Sequence, residues 1–522
     1  MSTGPSQPPG AIAARRSTGR SPRRTGQAGL GAGLGGLLGA VVLMAGCDSG
    51  KPGLPPEALV VTQVPVGITA RATGESDVLD SRYPPGSRVV VVPRPEVPGD
   101  VRVLSRGLLA AGDPVLDPEA REVLFVGKRA EKESWQIYRV PLNGRRAPEA
   151  VTDMAGGARD PAWMPAGRFV FSAPVPSTPS LAGGERIMAL YSQAVTGGPP
   201  HRLTHGVASA TDPTVLADGR ILFVSATPVD SKPYPQSLFT INNDGTEVSP
   251  FAGQHDGPAA LRRPRETADG RLLFLAAGVG TPVLEGRIEA VRLARPFRSR
   301  TVVMPPVSLP CRSAESLPTG EILGAFGPDG SAGIGPTTFA VYRYLDGAGA
   351  TGMPGTPMFD DPGWHDVEAQ SARPVRRFMG RLSSVDPGRR DGMLLGLDVN
   401  RSDRPFAAGG RRMSGGRIRV ARHEVGAAGE VLGEVPVCAD GSFLASVPAD
   451  VALSFELVAA DGTVVERCPP ASWVRPGENR SCIGCHEPHN HATENFRPLA
   501  VRQPPVRLPG RARGSHGREG KP

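Results

Sequence analysis

The chain has 522 residues, with 59 Lys and Arg against 51 Asp and Glu, a formal charge of +8. It holds 67 Gly and 56 Pro, and only 5% of its residues are aromatic, which predicts many turns and short strands with little long helix. Recurring apolar runs such as Val123-Leu-Phe-Val exclude disorder throughout, and no basic stripe interleaved with aromatics marks a nucleic-acid surface, so no nucleic-acid partner is expected.

The N-terminus reads as an export address. Residues 1–27 are polar and carry Arg15, Arg16, Arg20, Arg23 and Arg24, residues 28–46 are small and apolar, and Cys47 comes next. That order is a basic region, an apolar region and a cleavage zone. Met44-Ala45-Gly46-Cys47 resembles a bacterial lipobox, so residues 1–46 are expected to be a lipoprotein signal peptide and Cys47 the lipidated residue. The expected location is outside the cytoplasm, lipid-anchored to the cell membrane or outer membrane. An uncleaved anchor is the alternative, since the segment is near the minimum spanning length. The chain beyond the signal is too long for one ordinary core and suits two or three domains.

From about residue 60 to 385 the chain is periodic. Asp160-Pro-Ala-Trp-Met-Pro-Ala-Gly-Arg-Phe-Val-Phe is followed by Asp212-Pro-Thr-Val-Leu-Ala-Asp-Gly-Arg-Ile-Leu-Phe and by Arg263-Pro-Arg-Glu-Thr-Ala-Asp-Gly-Arg-Leu-Leu-Phe. A degraded copy surrounds Gly320, and an earlier partial one ends in Arg121-Glu-Val-Leu-Phe. After each Gly-Arg strand comes a second one, at 136–144, 188–197, 237–245, 287–294 and 339–347. An Asp-Gly or Ala-Gly turn feeding a short apolar strand, then a loop and another strand, makes a small antiparallel sheet. Such a sheet cannot bury both faces alone. Repeats of this length close radially into a β-propeller, here of six or seven blades. A tandem of β-sandwiches is the alternative. Residues 345–365, rich in Gly and Pro and holding Asp360, Asp361, Trp364 and His365, read as a loop, either solvated or reaching toward a site.

Beyond 385 the pattern changes. Residues 391–403 and 416–425 read as strands, and 429–465 alternate over short strands broken by Ala-Asp-Gly turns at 439–441 and 460–462. Residues 386–470 are therefore expected to form a β-sandwich. Residues 471–495 contain Cys482-Ile-Gly-Cys485-His486. C-x-x-C-H is the attachment motif of c-type haem: each thiol adds across a vinyl group, and the histidine offers its imidazole to iron. Cys482, Cys485 and His486 are thus the expected haem residues. The distal ligand is left open among His489, His491, His365, His255, a Met and water. A zinc site is the competing reading, with His489 and His491 as further ligands. Trp473 is read as a haem contact or a core anchor, and Arg475 and Arg480 as propionate partners or solvated charges. In an oxidising compartment Cys438 and Cys468 are candidates for a disulfide, leaving Cys311 as a buried apolar residue or a metal ligand. Residues 496–522 are rich in Pro, Gly and Arg and are expected to be a disordered basic tail.

Taken together, these features resemble the hydrazine synthase alpha-subunit-like family. The resemblance is carried by Pro476-Gly-Glu-Asn-Arg-Ser-Cys-Ile-Gly-Cys-His-Glu487, by residues 394–403 and by 438–450, and it spans about residues 100–495. It implies a TolB-like propeller, a middle β domain and a covalent haem on Cys482 and Cys485. It also implies that His486 binds zinc together with a distant cysteine, for which Cys311 is the candidate, and that a tyrosine four residues after the motif histidine ligates iron. Asn490 stands at that position. The family's enzyme carries a second haem motif, whereas this sequence has one. Hydrazine synthesis is therefore not expected.

The expected function is an exported lipoprotein with one covalent haem c, and zinc if the family arrangement holds. It would serve electron transfer with a periplasmic redox partner or redox chemistry on a small molecule. The sequence does not decide whether it is an enzyme, and oligomeric state is open. The alternative is a non-catalytic propeller that binds a periplasmic protein or glycan, with C-x-x-C-H as a structural or zinc site.

Overall fold

Each copy of the repeat folds as one antiparallel sheet. The protein is described by a computed structural model covering residues 54–67, 78–176, 186–226, 236–253, 260–278, 285–303, 309–328, 337–345, 356–401, 415–423, 429–484 and 497–509. Among the described residues six sheets form the blades of a β-propeller. Blade 2 runs Ala110–Leu116, Glu122–Lys128, Gln136–Pro141, Glu149–Ala150 from the axis outward. Blade 3 begins at Arg159–Met164, blade 4 at Ser209–Val215, blade 5 at Ala260–Glu266 and blade 6 at Cys311–Ser316. Among the described residues blade 6 has three strands and the other five have four. The apolar faces of neighbouring blades bury one another: Val89 and Val91 of blade 1 meet Val123 and Phe125 of blade 2, and Trp135 meets Phe169 and Phe171 of blade 3.

Blade 1 joins the two ends of the repeat region. Leu59–Pro65 pairs antiparallel with Arg88–Val92 on one side and with Trp364–Ser371 on the other, and the latter is the strand nearest the axis. The innermost strands of the six blades neighbour one another in a complete circuit, so the ring is closed and its end strands are not left as edges. The closing strand lies partly in the stretch read from sequence as a loop. Its Asp366, Glu368 and Gln370 alternate with Val367 and Ala369 and all five are buried, so the strand lacks the apolar run that marks the blades' second strands.

The Asp-Pro of the repeat has a definite structural task. In blades 2, 3 and 4 it forms a bulge in the innermost strand, where the register of pairing skips. Asp113, Asp160 and Asp212 sit there with φ of 55, 54 and 48°; Arg263 of blade 5 and Glu368 of blade 1 take the same place with φ of 50 and 57°. In blade 6 the skip falls between Cys311 and Ser313, and the Ser313 hydroxyl accepts from the Glu368 N–H at 3.0 Å. Left-handed backbone at such residues costs about 1–2 kcal/mol each. Hydrogen bonds between blades offset it. Glu368 Oε2 accepts from the Asp113 N–H at 2.7 Å, Asp160 Oδ2 from the Asp212 N–H at 3.3 Å, and Asp212 Oδ1 from the Arg263 N–H at 3.2 Å. The side chain of one bulge thus holds the backbone of the next around the axis.

The propeller is succeeded by a sandwich of two four-stranded sheets. One sheet has the order Asn479–Cys482, Asp391–Gly396, Phe443–Pro448, Val506–Arg507; the other has Val431–Pro436, Arg417–Arg422, Leu453–Val458, Val464–Ser472. Leu394, Ile418, Val420, Val435, Ala445 and Leu457 are among the buried residues of the core between them. The Ala-Asp-Gly turns are built as expected, with Gly441 and Gly462 at φ of 88 and 90° and with Asp440 and Asp461 accepting from the N–H groups of Ser442 and Thr463.

Two boundaries need correction. Residues 497–509, assigned by composition to a disordered tail, are folded: Leu499 and Ala500 donate their N–H groups to Asp440 and to the Ser442 hydroxyl, and Val506–Arg507 runs parallel to Phe443–Pro448. Proline and arginine do not prevent an edge strand from pairing on one side. The motif segment, expected to come after the sandwich, supplies one of its strands. The signal and lipobox region, residues 1–53, lies outside the described residues, as do 510–522. No helix among the described residues is long and apolar enough to cross a membrane.

Candidate functional site

Cys482 is the last residue of the edge strand Asn479–Cys482. That strand runs parallel to Asp391–Gly396, with Cys482 opposite Gly396. The pairing continues past the strand's end, where the Leu397 and Asp398 N–H groups donate to the carbonyls of Cys482 and Ile483. The first half of the motif is therefore fixed as sheet. Cys482 is half-buried against the sandwich core. Two close backbone approaches depend on glycine. A Cβ on Gly396 would meet the Phe443 ring at 2.0 Å, and one on Gly484 would meet the Arg401 carbonyl oxygen at 2.3 Å. The glycine inside C-x-G-C is thus required by the sandwich itself. Cys485 and His486, with His489, Asn490 and His491, lie outside the described residues.

The residues leading into the motif bind the sandwich to the propeller, within one compact unit, Leu54–Pro522. Trp473 is 4% exposed and joins the apolar cluster of blades 3 and 4, with its ring N–H 3.4 Å from the Gly245 carbonyl. Glu478 accepts from the Glu247 N–H at 2.9 Å and the Arg475 N–H at 2.6 Å. Burial pushes its carboxyl above the usual range, and the two amides pull it back. Glu247 is held at φ 56°, so the carboxylate also steadies a strained turn. Arg480 donates to the carbonyls of Trp473 at 3.0 Å and Val248 at 2.7 Å. Arg475 donates to Asp450 at 2.7 Å and lies against the His205 ring. Burial, Arg202 and Arg475 push His205 down to about 3, so it is neutral and accepts. Trp473 is the core anchor of the two readings, and both arginines are engaged between the domains.

The remaining expected site residues sit elsewhere. Cys311 starts the innermost strand of blade 6, is fully buried, and its thiol donates to the Ser313 carbonyl at 3.1 Å. Burial pushes that thiol up to about 12, which keeps it protonated, whereas a zinc ligand is a thiolate. His365 is the second residue of the closing strand of blade 1, and its Nδ1 accepts from the Phe339 N–H at 3.2 Å. His255 is outside the described residues, as is the side chain of Cys468. Among the described residues no three His, Cys, Asp or Glu side chains gather as a metal site.

The sequence reading missed a cluster on the propeller axis. Glu368, 4% exposed, accepts four hydrogen bonds: from Thr62 Oγ1 at 2.8 Å, the Tyr83 hydroxyl at 2.5 Å, Arg263 Nη1 at 2.8 Å and the Asp113 N–H. Arg263 Nη1 also lies 2.8 Å from Asp113 Oδ1. Although burial opposes it, Arg263 together with Arg82 holds the Glu368 carboxyl below its ordinary range. The opposite balance holds at Asp212, where burial and then the Asp160 carboxylate raise it to about 6. The signal was present in the repeat. Copies that read Asp-Pro in blades 3 and 4 read Arg263-Pro in blade 5, a reversal of charge at one position of the frame.

Comparison with known proteins agrees with this architecture. Residues 407–487 match the family model described as the hydrazine synthase alpha subunit middle domain. That match runs through Cys482, Cys485 and His486. A solved hydrazine synthase of Kuenenia stuttgartiensis is similar in fold, with a TM-score of 0.71 at 18% identity over 86% of this chain and 72% of that one. TolB from Acinetobacter baumannii aligns over 61% of this chain and 67% of its own, at 13% identity and a TM-score of 0.42. No curated protein matches the chain.

Proposed function

We propose, from the premise that the chain is hydrazine synthase alpha-like, with that family's middle domain at residues 407–487, that it is an exported lipoprotein carrying one haem c. Electron transfer or redox chemistry on a small molecule is its task. The observation that carries the reading is the position of Cys482, at the end of a paired strand where the sandwich meets the propeller. A tether there is rigid, and the thiol is accessible enough to react while remaining against the sandwich core.

The donor set fits the group. Cys482 and Cys485 are the thiols that hold the ring, each forming one C–S bond as its proton goes to the vinyl carbon. His486 is the imidazole offered to iron; the family's zinc arrangement would require the buried Cys311 to lose the proton it donates to the Ser313 carbonyl. Haem supplies one-electron chemistry when bound. The chain's own contribution is positional. Gly484 lets the motif lie on Arg401, while Glu478, Arg480 and Trp473 keep the strand against blades 3 and 4. Asn490 replaces the tyrosine that the resemblance ties to hydrazine synthesis, and that reaction is not assigned. Cys47 is the proposed lipid anchor.

The full chain made in a host competent in cytochrome c maturation is expected to give a haemochrome spectrum and the mass of one covalent haem. Both disappear in Cys482→Ala, Cys485→Ala. A wild-type protein with two unmodified thiols, or with zinc in place of haem, overturns the reading and favours a propeller that binds a partner without redox chemistry. A low-spin six-coordinate iron assigns electron transfer, and a high-spin five-coordinate iron assigns chemistry on a ligand.

A further inference from the structure

In blades 2 to 5 the strands run up and down, so the turn after the innermost strand and the turn after the third lie on one face of the disc. The chain enters the propeller on that face too, since Leu59 stands opposite Ser371, the last residue of the closing strand. Residues 373–385, which lead from the ring to the sandwich, cross the same face as a strap. The Val375 N–H donates to the Pro118 carbonyl of blade 2 at 2.8 Å, and the Met379 N–H to the Ala217 carbonyl of blade 4 at 3.0 Å. At the strap's start Arg373 meets Pro56 and Glu57.

This face is apolar and basic at once. Of the nine large apolar side chains that stand exposed among the described residues, five lie here: Phe297, Leu345, Val375, Met379 and Leu382, the last 100% exposed. Leu345 ends the third strand of blade 6, opposite Glu321 at the start of the second. Phe297 belongs to the turn after the third strand of blade 5, whose Leu293 N–H donates to the Gly270 carbonyl at 3.0 Å. Ser299 shapes that turn, accepting the Arg292 N–H at 2.8 Å and donating to the Arg295 carbonyl at 2.7 Å. The turn holds out Arg292, Arg295 and Arg298, all exposed. Among the described residues none of the three pairs with a carboxylate: Asp269 and Glu289 of the same blade are taken by Arg271, Arg287 and Arg300. In the strap Arg373 and Arg377 are matched by Glu57 and Glu119, so the uncompensated charge is that of blade 5.

We propose that this face lies on an anionic lipid bilayer, with the blade 5 arginines at the headgroups and the strap's apolar side chains in the interfacial layer. Unpaired arginines beside exposed apolar side chains match a surface that is anionic outside and hydrocarbon within. The apolar side chains are spread along a strap and two turns, whereas a protein partner's anchors fill pockets. The chain also begins here: Cys47 stands seven residues before Leu54, a reach of at most about 25 Å. The sandwich stands on blades 3 and 4 of this face, which leaves the contact to blades 5, 6 and 1 and to the strap. The orientation rests on the reading of Cys47 as the lipidated residue.

The test is amide exchange of the full-length chain on vesicles of phosphatidylcholine alone and of equal parts phosphatidylcholine and phosphatidylglycerol. On the anionic vesicles, exchange in residues 292–298 and 373–382 is expected to slow by on the order of threefold. Neutral vesicles should leave it unchanged, and high salt should reverse the protection. Arg295→Glu, Arg298→Glu should abolish it without moving the melting temperature, since both side chains are exposed; Arg295→Lys, Arg298→Lys should keep it. Equal exchange on the two kinds of vesicle overturns the proposal, as does protection that survives the charge reversal. Protection conferred by polyglutamate and not by vesicles would assign the face to an acidic protein and overturns it as well. Mass spectrometry of the same sample reads the lipid on Cys47: an unmodified Cys47 refutes the anchor, while the vesicle comparison still decides the face.

Discussion

The propeller axis and the seam that leads into the C-x-x-C-H motif both bury charge, and they do so by opposite means. On the axis, ionised side chains meet one another: Glu368, Arg263 and Asp113 form a closed set in which each charge depends on the others. At the seam, charged side chains meet backbone: Arg480 holds two carbonyls, and Glu478 holds two amides. The first arrangement is a product of repetition, since five equivalent bulges converge on one line. The second comes from a single-copy segment that must recognise a unique surface. Loss of one partner should accordingly be severe on the axis and graded at the seam.

The largest effect expected is at Glu368. Glu368→Ala removes four hydrogen bonds and leaves Arg263 poorly compensated, so it should destabilise the fold by about 3–5 kcal/mol, read as a shift of the urea midpoint. A loss under about 1 kcal/mol would break the distinction. Trp473→Ala, at the apolar heart of the seam, should cost about 3 kcal/mol. Its mark should be local: faster amide exchange in Asn479–Cys482 than in the propeller. Arg480→Ala removes two hydrogen bonds from a charged donor and should cost about 2 kcal/mol, with the propeller melting unchanged.

The smallest expected effect is a slope. Burial pushes the Glu315 carboxyl up to about 7, against an ordinary 4.5 in the unfolded chain, with Arg265 opposing. Between those values the folded protein holds the extra proton, so stability falls as pH rises from 4.5 to 7. Glu315→Gln should flatten that part of the stability–pH curve and leave the stability below pH 4.5 almost unchanged. A steeper curve in the variant would mean that Arg265 outweighs burial.

The same contrast explains what the sequence made legible. Blade strands were readable because apolar runs between Asp-Gly turns repeat, and their second strands fell where expected, as at Gln136–Pro141 and Arg287–Arg292. The closing strand Trp364–Ser371 was not, because three of its buried side chains are polar and its pairing partner is some three hundred positions earlier in the sequence. The haem motif was visible at once as Cys482, Cys485 and His486, yet nothing in that spacing shows that Cys482 ends a parallel edge strand. Glu368 escaped notice because its role arises only where six blades meet. Arg263 stood in plain view within the repeat, but its meaning depends on the aspartates that the ring brings beside it.

Ring closure also sets an order in time. Leu59–Pro65 is made early and Trp364–Ser371 late, so the propeller cannot be completed until most of the repeat region has left the ribosome. Before then Leu59–Pro65 lacks its inner partner, and Thr62 and Tyr83 lack Glu368. A shortened chain that stops before residue 364 would keep five blades and an unpaired edge, the form most prone to associate with another copy of itself. The last strand of the ring is thus the signal that the whole has been made.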